Sequence, residues 1–189
     1  MTKLLLLTLI VACLTSCPET TVPRHFGVKP AVLKASEWNG TWASPGSTGD
    51  NVHLAVDPSD PGALIVTEPS KQEKKDGPFK IYVWHQSADK DSHLYFFSIF
   101  DKPGKDTGSL SLLSQTEPNL LYLWAPKHEA ITKAVKDGRL KGTLEKDKED
   151  TLTTLAADPA NYKVLGSPEF WEWTHPSSSL KQDKTKGSR

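Results

Sequence analysis

Apolar and polar residues alternate along most of the chain with the two-residue period of half-buried strands. Val52, Leu54 and Val56 share one face of a strand, and the turn Asp57-Pro58-Ser59-Asp60-Pro61-Gly62 leads into a partner, Ala63 to Thr67. After the charged loop Lys71 to Gly77 comes Phe79 to His85, with Phe79, Ile81 and Val83 on one face and Tyr82 and Trp84 on the other. A polar loop, Ser87 to Ser92, separates this strand from Leu94 to Phe100, which is apolar on nearly both faces and predicts a central, covered strand. Gly104 to Gly108 turns the chain into Ser109 to Leu113, and Glu117-Pro118-Asn119 turns it into Leu120 to Trp124. Such regular hairpin spacing predicts an antiparallel meander.

The rhythm changes at Pro126. Ile131, Ala134 and Val135 then fall on one helical stripe, with proline in the first turn and Gly138 as the stop. Two short strands are expected at Leu140 to Leu144 and Thr151 to Leu155, around the charged loop Glu145 to Asp150. Asp158-Pro159 opens a second short helix ending at Gly166, and Glu169 to Thr174 reads as a closing strand. The fold class is therefore mainly β with two short helices. A single β-rich domain is expected over 37–175, after a spacer in 17–36 and before a polar tail, 176–189, expected to be disordered.

The start of the chain follows another pattern. Lys3 precedes an apolar run from Leu4 to Ala12, as in a secretory signal, and the run is too short to span a bilayer. Leu14-Thr15-Ser16-Cys17 resembles the lipobox of bacterial lipoproteins, with signal peptide 1–16. Ile10-Val11-Ala12-Cys13 fits a looser form of the same pattern. The lipobox resemblance implies a diacylglycerol on the Cys17 thiol, an acylated amino terminus, and a domain whose first partner is the membrane. Two or more acyl chains anchor a protein stably where one does not. Pro18 stands where an aspartate would resemble an inner-membrane retention signal, which favours the outer membrane.

The segment Leu33 to Trp42 resembles the opening of lipocalins and related calycin barrels through Gly40 and Trp42. That resemblance implies a closed barrel with the indole plugging its narrow end. A sandwich or a strongly curved sheet remains the alternative, since the Thr-Asp-Tyr loop of the family is missing and the helix after Pro126 precedes the last strands.

Composition narrows the partners. Lys plus Arg (23) balance Asp plus Glu (23), so no basic excess exists to hold a phosphate backbone, and nucleic acid is not expected. Both cysteines, Cys13 and Cys17, precede the folded region, so no disulfide can staple it. The histidines are scattered without metal-ligand spacing; His85 and His93, flanking one loop, come nearest to a pair. No nucleophile elbow or phosphate loop is present, and neither enzymatic activity nor a cofactor is expected. The six tryptophans matter more. Tyr82 with Trp84, and Tyr122 with Trp124, stand on faces where amphipathic rings alternate, and these four are the candidate ligand-binding residues. The expected function is an envelope lipoprotein that binds a small apolar ligand. The alternatives are a protein-interaction or structural module without a cavity, and a hydrolase with an unrecognised site.

Overall fold

The computed structural model describes residues 19–27, 29–44, 51–67, 78–88, 94–101, 106–147, 150–173 and 179–183. Seven strands follow one another as a meander: β2 (Gly40–Ala43), β3 (Asn51–Asp57), β4 (Asp60–Thr67), β5 (Phe79–Ala88), β6 (Leu94–Asp101), β7 (Thr107–Glu117) and β8 (Leu120–Pro126). Each pairs antiparallel with the next. The ring is closed by β12 (Ser179–Asp183), which lies antiparallel between β8 and β2. The result is an eight-stranded closed antiparallel barrel.

The predicted hairpins form for the expected local reasons. In the β3–β4 turn, Asp57 Oδ1 accepts from the backbone N–H of Ser59 at 2.9 Å and from its hydroxyl at 2.6 Å. This is an aspartate turn, which a backbone ladder alone could not make so tight. Gly62 is required for another reason: a Cβ there would lie 2.6 Å from Pro30 Cβ, so the segment ahead of the barrel packs directly on β4.

That segment joins the barrel's core through Ala31, Leu33 and Trp38. The single turn α1 (Ala35–Trp38) buries Trp38, and Trp42 donates its indole N–H to the Trp38 carbonyl at 3.0 Å. Asn39 Oδ1 accepts from Val56 N, and Gln182 Nε2 donates to the Asn39 carbonyl at 3.0 Å. Trp42 is fully buried, in the same core as Trp38.

Two terminal expectations are corrected. The spacer assigned to 17–36 contains β1 (Thr20–Pro23), parallel to one strand and antiparallel to β7. Phe26 is fully buried, and Ala31 and Leu33 join the barrel core. The tail assigned to 176–189 contains β12, the strand that closes the barrel. Both were misread because their contribution is backbone pairing rather than apolar bulk. Leu180 is the one large apolar residue of β12, and β1 has only Val22 beside two buried threonines. Likewise, the expected closing strand Glu169 to Thr174 is a 3₁₀ turn, Pro168–Phe170, followed by the two-residue β11 (Trp171–Glu172) on the edge of β8.

A second layer lies outside the barrel. The hairpin of β9 (Gly142–Asp147) and β10 (Asp150–Leu155) extends the sheet past β1. The helices α2 (His128–Lys136) and α3 (Pro159–Leu165) contribute Ile131, Ala134, Tyr162 and Leu165 to the core over this extended wall. Asp158 caps α3 by accepting from Ala160 N, with proline in the first position. Buried Asn161 accepts from Lys141 N and donates to the Lys141 and Ala156 carbonyls, so this helix braces the start of β9.

Candidate functional site

Alternation along the strands divides the apolar side chains into two cores. The inner core faces the lumen with Trp38, Trp42, Val52, Leu54, Leu64 and Val66 from one half of the barrel. Ile81, Val83, Phe96, Leu113 and Leu121 complete it from the other half. The outer core holds Trp84, Phe97, Ile99 and Leu110 from the same strands, packed against α2, α3, Phe170 and Trp171. β6 thus buries side chains on both faces, Phe96 in the inner core and Phe97 and Ile99 in the outer, as the covered-strand reading of Leu94 to Phe100 requires.

One stretch of the inner wall is polar. Ser98 shares its face with Phe96, two residues away, and Ser111 shares its face with Leu113. Ser98 and Ser111 are direct cross-strand partners, and Ser98 also faces Val83 on β5. Both are buried. The Ser98 hydroxyl has no hydrogen-bond partner among the described residues. An unpaired buried hydroxyl costs stability, and native interiors rarely keep one without a use. Where neighbouring strands present Val, Leu and Ile, these two positions present short side chains with polar tips.

None of the four aromatic candidates faces the lumen. Tyr82 and Trp84 alternate with the lumen residues Ile81 and Val83, and Tyr122 and Trp124 alternate with Leu121 and Leu123. Trp84, Phe97, Leu112 and Trp124 form one cross-strand row along the outer face. At one end of the row Trp84 lies in the outer core and meets His25 edge-on, with centroids 5.5 Å apart. At the other end Trp124 donates to Ser114 Oγ at 2.9 Å, and Tyr122 stands two residues away. The four therefore do not form one pocket. The serine pair had no sequence signal, because a lone serine in an apolar strand announces nothing until its face is known.

A polar chain in the outer layer was also missed. Thr20 Oγ1 lies 3.1 Å from His128 Nδ1, His128 Nε2 lies 3.2 Å from Thr132 Oγ1, and that hydroxyl lies 2.6 Å from Thr153 Oγ1. The imidazole thus joins β1 to α2, and Thr132 joins α2 to β10. The array ties β1, α2 and β10 together side chain to side chain.

The strongly shifted carboxyl is the buried Asp57, at the β3–β4 turn. The Lys80 ammonium, 2.6 Å from Asp57 Oδ2, together with the two Ser59 donors, holds the Asp57 carboxyl well below the usual carboxylate range. Asp57 in turn raises Lys80. Among the described residues no group of three or more His, Cys, Asp or Glu side chains is placed to hold a metal ion. His93 of the weak histidine pair, and both Cys13 and Cys17, lie outside the described residues. No described helix is long and apolar enough to cross a membrane.

The fold and its two cores define a closed antiparallel barrel carrying a helix-covered extension of its own sheet. No protein-family model matches the chain, and neither does any curated protein or solved structure.

Proposed function

We propose that this protein is a lipid-anchored lipoprotein of the bacterial cell envelope, without enzymatic activity, whose barrel takes a small apolar ligand in its lumen. The observation that carries the ligand reading is the unpartnered Ser98 hydroxyl, buried on the inner face between Val83 and Ser111. Eight strands enclose a lumen that side chains can just fill or that can hold one small molecule, and short serines on one stretch favour the second outcome. An apolar body with one hydrogen-bonding group, of the kind a hydroxyl or carbonyl provides, matches that lining. The ligand reading rests on the lumen and not on Tyr82, Trp84, Tyr122 and Trp124, which lie on the outer face.

The anchor rests on the sequence around Cys17. It places the protein on a cell membrane, by the Pro18 argument the outer one, with the membrane as its partner through the acyl chains and no nucleic acid involved.

Native mass spectrometry of protein gently extracted from membranes tests the ligand. A bound small molecule is expected on the wild type and is expected to be missing from Ser98→Phe, which fills the serine stretch. An equal adduct on a Ser98→Phe protein that melts like the wild type would place the ligand elsewhere. Metabolic labelling with a fatty acid tests the anchor: Cys17→Ala is expected to lose the label and leave the membrane. Persistent labelling of that variant would move the modification to Cys13.

A further inference from the structure

The outer face of β8 carries an aromatic cluster that the lumen does not use. Trp173 packs against Tyr122 and Trp124, with ring centroids 5.9 Å and 6.2 Å apart. It is 50% exposed, and the two β8 rings are half-buried. Glu172, one residue earlier, pairs with Ala125 and fixes this segment to the strand.

The same corner of the fold receives the N-terminal end of the chain. β1 and β8 share one edge of β7, with β1 pairing at Thr107 to Ser109 and β8 from Leu112 onward. Carried back by its register, β1 brings Glu19 beside Ser111, one residue from the Leu112 that pairs with Trp124. Glu19 is fixed there. Its carbonyl accepts from Thr153 N at 3.1 Å, and its carboxylate accepts from Ser109 Oγ at 2.6 Å. The next three residues, Thr20, Thr21 and Val22, are buried, and Thr20 is tied through His128 to α2. Glu19 is the first described residue, and Cys17 precedes it by two residues, which span at most about 7 Å.

We infer that the domain is held against the phospholipid bilayer, with Tyr122, Trp124 and Trp173 seated among the headgroups, rather than swinging on a tether. This rests on the anchoring at Cys17 proposed above. Acyl chains on that cysteine put the start of β1 at the membrane surface, and the aromatic cluster stands at the start of β1. Trp and Tyr rings favour that depth, where the ring meets acyl carbon while the indole N–H or phenol hydroxyl meets water and headgroups.

The experiment uses the full-length acylated protein in phosphatidylcholine vesicles whose lipids carry bromine near the headgroup end of the acyl chains. Vesicle flotation reports anchoring, and quenching of tryptophan emission reports contact with the bilayer. The wild type is expected to float and to be quenched, and Trp173→Phe is expected to lose most of the quenched emission. A Gly/Ser linker of about 12 residues inserted between Cys17 and Glu19 frees the domain by about 20 Å. That variant is expected to float but to lose the quenching. A wild type that floats unquenched would overturn the apposition and leave the anchor standing. Equal quenching with the linker present would also overturn it, since the short connection would then not be its cause. A wild type that neither floats nor takes up fatty acid would remove the anchor, and this inference with it.

Discussion

Removing the last eleven residues, from Ser179 onward, takes away β12 and opens the barrel. The strand makes three residue pairs with β2 and three with β8, and Gln182 N–H donates to the Asn119 carbonyl at 2.9 Å. At a net value of about 1 kcal/mol for each backbone bond, half a dozen lost bonds cost on the order of 5 kcal/mol. The loss also strips cover from Leu121 and Trp42, both in strands that pair with β12, and removes the Gln182 contacts to α1. For a chain of this size, about 5 kcal/mol corresponds to a fall of roughly 10–20 °C in Tm. It is also comparable with the whole stability of many domains, about 5–15 kcal/mol, so the truncated chain is expected to be unfolded or barely folded at 37 °C. Thermal unfolding followed by circular dichroism reads this directly. Gln182→Ala serves as the graded companion, expected to lose about 0.5–1 kcal/mol, since water can replace the amide at the two exposed carbonyls. A truncated protein that melts within about 2 °C of the full chain would refute the closure of the barrel by β12.

Other outcomes follow from the two cores. Trp84→Ala is expected to cost about 3–5 kcal/mol in denaturant melts, since the ring is buried in the outer core, whereas the exposed Trp173→Ala should change stability little. Ser98→Ala, which removes the hydroxyl and adds no bulk, is expected to stabilise the ligand-free protein by about 1 kcal/mol while weakening ligand retention. If it destabilises instead, the hydroxyl has a partner. Asp57 is held low by Lys80 and Ser59, so its contribution is full above the ordinary carboxyl range and is lost as pH falls through the depressed value. Lys80, raised by Asp57, contributes fully below its ordinary range and loses that contribution as pH rises through the raised value. Thermal melts between pH 2 and pH 5 should therefore fall less steeply for Asp57→Asn than for the wild type, and equal slopes would remove the pair from the account.

Which parts of the fold could be read from sequence depends on how each strand is stabilised. The hairpins from Asn51 to Pro126 carry alternating apolar side chains and turn residues, and their elements lie where the pattern puts them. Both helices between Pro126 and Gly166 announce themselves through a proline before or at the first turn and a glycine after the last, and the second also through its Asp158 cap. β1 and β12 carry almost no such signal. Thr20, Thr21, Lys181 and Gln182 look like polar linker, yet their backbones complete one sheet extension and one barrel. Alternation also separated Tyr82 and Trp84 from Ile81 and Val83 correctly, but it assigns no meaning to either side. Only the closure of the ring shows that the aliphatic side is the lumen, and only then does Ser98 become a buried orphan rather than one more serine.

The two cores share a wall, and this bears on how a ligand could act on the rest of the molecule. Ser98 lies between Phe97 and Ile99 in sequence, so the residue with the unpaired hydroxyl on the inside is flanked by two that anchor the outer core. Phe97 meets Phe26 edge-on at 5.8 Å and lies 6.0 Å from Trp171. Phe26 follows β1, and Trp171 begins the short strand that leads to Trp173. A close-packed wall transmits small displacements rather than absorbing them. A ligand that shifts the β6 backbone at Ser98 therefore presses on both segments that frame the membrane-facing corner. Adding ligand to vesicle-bound protein is expected to change the bromine quenching of Trp173, and the change is expected to vanish in Ser98→Phe. Quenching that stays constant as the lumen fills would mean that the wall holds the two faces independent.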